Sequence, residues 1–154
     1  MTSPPGQFYR YIAAPREQVY RALLDAQAIA RWRVPHGMRS YVHEFEAREG
    51  GVFRISLTYD TPTGAGKTTA HTDTYHGYFA KLVPNQQVVE VSEFESDDPA
   101  MQGRMVMTYT LRDANGGTDL FAEHANLPPG VSPADNATGW RMALDKLAAL
   151  LEGK

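Results

Sequence analysis

The sequence lacks cysteine, long hydrophobic runs and an excess of one charge. Without cysteine, disulfides, thiolate metal sites and cysteine nucleophiles are all excluded. No segment reaches the roughly 18 consecutive apolar residues that a membrane-spanning helix needs. The N-terminus, Met1 to Gly6, also lacks the basic and then apolar pattern of a signal peptide. We therefore expect a cytoplasmic protein that does not insert into a membrane.

The charges indicate which partners to exclude. The 15 Lys and Arg and the 18 Asp and Glu give a formal net charge of -3 and are scattered along the chain. No basic stripe is available to neutralise a phosphate backbone, so we expect no nucleic-acid partner. The sequence also has no Gly-x-Ser-x-Gly elbow, no His-Glu-x-x-His motif and no dinucleotide fingerprint. We expect neither a cofactor nor a metal, and no catalytic residue is identified.

Two short segments look like binding motifs, but other readings fit them better. Residues Gly64–Thr68 match the end of a phosphate-binding P-loop, yet Thr61 stands where the first glycine is required. His71 and Asp73 would share one face of a strand, whereas His76 would point the opposite way, so only a bulge could join the three at a metal. Both segments are interpreted as parts of a loop and a strand.

The length and periodicity predict one domain over residues 1–154. With 42% apolar residues, the chain is long enough for one good core and too short for two ordinary domains. Helical spacing follows Pro15, with Val19 and Leu23 on one face, and a second short helix is expected over Ala26 to Trp32. Runs of period two predict about seven strands. The expected strands are 8–12, 41–45, 52–57, 72–83, 88–94, 105–111 and 118–124.

The C-terminal part predicts one long helix, from Ser132 to Glu152. Ser132 and Pro133 form a helix start, and Trp140, Leu144 and Leu147 continue an apolar stripe. Six strands in succession without intervening helices require an antiparallel meander. We therefore predict an α+β helix-grip fold, in which a curved antiparallel sheet wraps around the long C-terminal helix and two short helices follow the first strand.

Candidate ligand-binding residues are those expected between the sheet and this helix. They are Trp32, His43, Phe45, Phe53, Ile55, Phe79, Met105, Met107, Tyr109, His124, Trp140 and Leu144. Thioethers and aromatic faces suit an apolar or aromatic small molecule, although the same residues suit a filled core. His43 and His124 continue the inward phases of their strands and, with Tyr109, are the polar candidates.

The strand around Glu90 has two possible phases. Val88, Glu90 and Ser92 compete with Val89, Val91 and Glu93 for the interior. An inward Glu90 carboxylate would need a partner or a raised pKa.

Several short segments, taken in order, resemble the START-like (SRPBCC) superfamily. Within it, the chain is similar to bacterial proteins that resemble the C-terminal domain of the activator of heat-shock protein 90 ATPase, over roughly residues 8 to 152. The segments are Ile12–Pro15, Ala30–Trp32, Arg48–Phe53, Gly77–Phe79, Leu82–Pro84, Gly116–Thr118, Leu127–Pro128, Gly139–Trp140 and Leu144–Leu147. In this reading, Gly50 and Gly51 make a tight turn, and Gly139 lets the helix approach the sheet.

The resemblance implies a hydrophobic cavity used for ligand binding, for cyclase or hydrolase chemistry, or for contact with a chaperone. Ser92 stands where relatives carry tryptophan, which implies a more polar pocket. The leading hypothesis is a non-enzymatic protein that binds a small hydrophobic molecule. The alternatives are a cyclase-type or hydrolase-type enzyme with an imidazole acid or base, and a chaperone-associated interaction module. A homodimer is also left open.

Overall fold

The sheet and helices are described by a computed structural model for residues 6–60 and 72–153. The elements are β1 (Gln7–Ile12), α1 (Arg16–Leu23), α2 (Ala26–Trp32), β2 (Met38–Phe45), β3 (Val52–Tyr59), β4 (Thr72–Val83), β5 (Gln87–Phe94), a 3-10 turn (Pro99–Met101), β6 (Met105–Ala114), β7 (Gly117–Ala125) and α3 (Pro133–Leu151). The seven strands form one antiparallel sheet in the order β1-β7-β6-β5-β4-β3-β2. The predicted helix-grip fold class is confirmed.

Local sequence signals explain where two of the helices begin. The Ser132 hydroxyl accepts a hydrogen bond from the Asp135 backbone N–H at 3.2 Å, and proline occupies the first turn of α3. The Asp25 carboxylate accepts from the Gln27 backbone N–H at 2.9 Å and caps α2 in the same way. Each cap satisfies a donor that the first helical turn leaves without a partner.

The core lies between the inner face of the sheet and the three helices. Trp32 is fully buried, and its indole N–H donates to the Ala22 carbonyl at 3.1 Å. Its ring meets the ring of Tyr109 edge-on at 6.4 Å. The inward phases predicted for β6 and β7 are confirmed, because Met105, Met107, Tyr109 and Leu111 on β6 and Leu120 and Ala122 on β7 are buried.

A β-bulge in β2 makes one predicted phase wrong. Val42 pairs with Ile55 and Glu44 pairs with Arg54, so His43 is an extra residue on its strand. The extra residue shifts the inward positions by one. Phe45 and Val42 therefore pack against the core, whereas Tyr41 and His43 lie on the outer face.

The phase of β5 is decided by burial. Val88, Glu90 and Ser92 are buried, and the residues between them are only half-buried. The first of the two competing phases is therefore the inward one, and it places a carboxylate inside the protein.

The glycines at the β2–β3 turn and in α3 differ in how much space surrounds them. A Cβ on Gly51 would lie 2.2 Å from the Glu46 carbonyl oxygen, so the tight turn requires glycine there. A Cβ on Gly139 would meet only Pro35 Cγ, at an ordinary 3.7 Å. The expectation that Gly139 permits a close approach of helix and sheet is wrong.

Replacing Gly139 with alanine is therefore expected to stabilise the protein. Alanine favours the helix interior over glycine by roughly 1 kcal/mol, and its methyl group has room here. Urea unfolding of Gly139→Ala should show a higher midpoint with an unchanged slope. Gly77→Ala is the control, since its Cβ would lie 2.1 Å from the Val91 carbonyl oxygen and should destabilise the sheet. A urea midpoint for Gly139→Ala below that of the native protein would contradict the open space found around the Gly139 Cβ position.

Candidate functional site

A cavity of about 510 Å³ lies between one end of the sheet and the first half of α3. Its volume falls within the roughly 300–1,000 Å³ of small-molecule pockets. Most of its wall is apolar. The apolar residues are Pro35, Met38, Leu57, Phe94, Met105, Val131, Trp140, Met142 and Ala143. The exposed residues His36, Ser132 and Asp135 mark its solvent side.

Arg33, which borders the cavity, belongs to a buried ion pair. Arg33 directly follows α2, and its Nη1 donates to Glu90 Oε1 at 2.6 Å. The two side chains are 9% and 2% exposed, so both charges are removed from water. Removing a charge from water is costly unless its partner stays in place. The pair therefore brings two opposite charges into the protein with no net charge.

The Arg33 guanidinium lies between two aromatic rings. Its central carbon is 5.3 Å from the Tyr75 ring centroid and 5.2 Å from the Trp140 ring centroid. Burial alone would lower the pKa of Arg33, but the Glu90 carboxylate raises it above the ordinary value. Arg33 therefore stays cationic, and cation–π contacts hold its plane beside the cavity.

Tyr75, which borders the cavity, has a buried hydroxyl without a partner among the described residues. The residue is 6% exposed and borders the cavity, and its hydroxyl makes no hydrogen bond within the described part of the chain. Burial raises the pKa of Tyr75, opposed by Arg33 and supported by Glu90, so the group remains a protonated donor. A buried hydroxyl without a partner is unfavourable by about 1–3 kcal/mol.

The tautomer of His124 follows from its neighbours. Trp140 Nε1, which can only donate, donates to His124 Nδ1 at 3.2 Å, and Asn136 Nδ2 lies 3.2 Å from the same atom. Nδ1 is therefore the acceptor, and the ring hydrogen of neutral His124 is on Nε2. That N–H has no hydrogen-bond partner among the described residues, and the ring borders the cavity.

The same surroundings keep the imidazole uncharged. Burial and the nearby Arg33 cation lower the pKa of His124 to about 4. At neutral pH, Nε2 already carries a hydrogen, and the Nδ1 lone pair is already engaged by the Trp140 N–H. The geometry thus equips His124 to donate a hydrogen bond to a ligand, rather than to take or release a proton.

The structure brings only three of the predicted site residues to the cavity. Met105, His124 and Trp140 border it. Seven others are at most 2% exposed, lie in the packed core and do not border the cavity. They are Trp32, Phe53, Ile55, Phe79, Met107, Tyr109 and Leu144. The sequence does not distinguish these two groups, because both occupy inward positions, as Met105 and Met107 do on the same strand.

The two remaining predicted residues lie on β2. Phe45 is half-buried and packs edge-on against Phe79 at 5.5 Å. His43 lies 2.7 Å from the Ser56 hydroxyl and 4.7 Å from the Tyr41 ring on the outer face. The expectation that His43 points inward is wrong, for the reason given by the bulge.

Arg33 and Tyr75 border the cavity but were not predicted as site residues from the sequence. The expectation that an inward Glu90 needs a partner or a raised pKa was a signal for Arg33, although it identified neither the kind of partner nor the residue. Tyr75 stands at an inward position of β4, two residues after Asp73 and four before Phe79, which are also buried. Strand alternation from Phe79 would have located it.

The segments that look like binding motifs divide between described and undescribed parts of the chain. Gly64–Thr68 and His71 lie outside the described residues. Asp73 is buried on the inner face, whereas His76 contacts Glu93 and Glu95 on the outer face at 3.2 and 3.1 Å. Within residues 6–60 and 72–153, no three His, Asp or Glu side chains are grouped as metal ligands. None of the helices described is long and apolar enough to cross a membrane.

Comparison with known families assigns the chain. The family described as Activator of Hsp90 ATPase homolog 1-like protein matches residues 13–152. The chain belongs to this family. The match to the Activator of Hsp90 ATPase homolog 1-like family extends from the segment before α1 to the end of α3 and includes every residue that borders the cavity. A search among curated proteins found no match.

Several solved structures are similar to this chain. The chain is similar to protein CV1439 from Chromobacterium violaceum, with 32% identity, 95% of each chain covered and a TM-score of 0.85. A protein from Rhodobacter sphaeroides is 22% identical, with 96% of this chain and 91% of that chain covered and a TM-score of 0.78. A protein from Arthrobacter aurescens is 14% identical, with 96% and 86% covered and a TM-score of 0.78. The latter two show a shared fold alone.

Proposed function

We propose that this member of the Activator of Hsp90 ATPase homolog 1-like family binds a small, mainly apolar molecule in the cavity between the sheet and α3. The observation that carries the proposal is the cavity itself, about 510 Å³ with a mostly apolar wall and a few inward polar groups. Such a combination favours burial of a hydrophobic body while the polar groups orient it.

Side chains around the cavity support a binding role rather than catalysis. His124 is held as a neutral donor by Trp140 and Asn136, neither of which titrates. Arg33, which also borders the cavity, has its charge already paired with Glu90. An enzyme using an imidazole as acid or base would need a second titratable group within hydrogen-bond reach of His124, and the described residues provide none.

Native mass spectrometry of the purified protein, followed by the denatured spectrum, tests the proposal. We expect a stoichiometric adduct that is lost on unfolding, or, for a bare chain, a thermal shift with members of a panel of aromatic and alkyl compounds. A bare chain that no compound in the panel stabilises would contradict the proposal.

Two variants at one position of α3 test whether the ligand binds in this cavity. Gly139 borders the cavity, and its Cβ direction is open apart from Pro35. We expect Gly139→Leu to fill the space and abolish the adduct or the thermal shift. Gly139→Ala is the matched control, because alanine and leucine have similar helix propensity and only leucine reaches into the cavity. Equal binding by both variants would place the ligand elsewhere.

A further inference from the structure

Three side chains that border the cavity carry a hydrogen-bond donor without a partner among the described residues. Tyr75 has its hydroxyl free of partners, and His124 has its Nε2–H. Arg33 uses Nη1 for Glu90, while its Nε and Nη2 make no hydrogen bond to any described residue. A protein interior normally satisfies such groups, so donors left open on one wall indicate an acceptor that is supplied from outside.

The charges at the same wall indicate that this acceptor is uncharged. Arg33 is the only lysine or arginine among the described residues that border the cavity, and Glu90 already neutralises it. His124 is neutral, and Asp73 and Asp135 add acidic groups to the lining. An entering carboxylate would lose its hydration without finding an uncompensated cation. An uncharged oxygen would lose far less hydration free energy on entering, and it would still accept hydrogen bonds from the open donors.

We infer that the cavity selects uncharged aromatic or alkyl molecules that carry an acceptor oxygen, such as a ketone, and that Tyr75, Arg33 and His124 donate to that oxygen. This inference rests on the proposed binding function and specifies its ligand class. The aromatic faces of Tyr75 and Trp140 flank Arg33 and give the apolar body of the ligand a surface to lie on.

Three naphthalene probes test the ligand class. They carry an acetyl, an ethyl or a carboxylate group at the same ring position, and their affinities are measured by titration calorimetry at neutral pH. We expect the ketone to bind about tenfold more tightly than the ethyl compound, which corresponds to hydrogen bonds worth about 1.4 kcal/mol. The carboxylate should bind no more tightly than the ethyl compound.

Two tyrosine variants assign the preference to the cavity wall. Tyr75→Phe removes a hydroxyl that has no partner in the protein, so folding should be unharmed while the ketone preference falls by about fivefold. Tyr109→Phe is the matched control. Its hydroxyl is also buried without a partner, but Tyr109 does not border the cavity. This variant should keep the full preference.

The possible outcomes distinguish failure of the ligand-class inference from failure of the proposed binding function. Equal binding of the ketone and the ethyl compound, a tightest-binding carboxylate, or equal losses in the two tyrosine variants would overturn the inference and leave a hydrophobic binding protein. If none of the three probes binds, the proposed function loses its support and the inference is overturned with it. A ketone preference that only Tyr75→Phe reduces supports both.

Discussion

Replacing Glu90 with methionine is expected to destabilise the protein by about 3–5 kcal/mol. The variant leaves the Arg33 guanidinium buried at 9% side-chain exposure without its carboxylate partner. Arginine cannot lose its charge near neutral pH, so the full cost of an unpaired buried cation falls on the folded state. Urea unfolding at pH 7 measures the change.

The double variant Arg33→Met with Glu90→Met should recover most of that loss. Two apolar side chains of similar length remove both charges at once, and such replacements are often neutral or stabilising. The exposed pair of Arg16 and Asp113, at 2.8 Å, is the matched control, and Asp113→Asn should cost less than about 1 kcal/mol. If Glu90→Met also lowered the free energy of unfolding by less than about 1 kcal/mol, water would have to reach Arg33 in solution.

The second large effect concerns His124 and acid. Its pKa is lowered from 6.5 to about 4 in the folded protein, so between those values the unfolded chain binds more protons than the folded one. The stability that this group contributes is fully present above about pH 6.5, and it is lost as the pH falls through 4. The lowered pKa corresponds to a contribution on the order of 3 kcal/mol to the free energy of unfolding.

Unfolding free energies at pH 7 and pH 4.5 measure this loss in the native protein and in His124→Gln. Glutamine can still accept from Trp140 and does not titrate, so the variant should be less sensitive to acid than the native protein. Taking the difference between the two proteins removes the contribution of carboxylates such as Glu95, whose pKa is lowered by its hydrogen bond from Arg54. Identical acid sensitivity in the two proteins would refute the assignment to His124.

Acid should also weaken ligand binding if His124 donates to an acceptor oxygen. A proton added at Nδ1 would face the Trp140 N–H, so the ring would have to give up that hydrogen bond or turn. The titratable groups that border the same cavity are Arg33, His36, Tyr59, Asp73, Tyr75 and Asp135. Of these groups, Arg33 opposes the added charge most directly.

Strand and helix boundaries could be predicted from the sequence because they depend on local chemistry. The expected bounds of α2 and β4 agree with the structure, and α3 differs by one residue at each end. Ser132 and Pro133 mark a helix start wherever they occur, and a period of two marks a strand regardless of its neighbours. The antiparallel order of the strands followed from the absence of helices between them.

What the sequence by itself determined is therefore the helix-grip architecture, the inward phases of β6 and β7, and the need of an inward Glu90 for a partner or a raised pKa. Tertiary structure alone decided that this partner is Arg33, that the extra residue His43 turns its ring outward, and that Met105 borders a cavity while Met107 is packed. Local pattern states which face a side chain occupies. Whether that face meets a neighbour, a cavity or a charge depends on elements distant in the chain, because packing is a property of the assembled core.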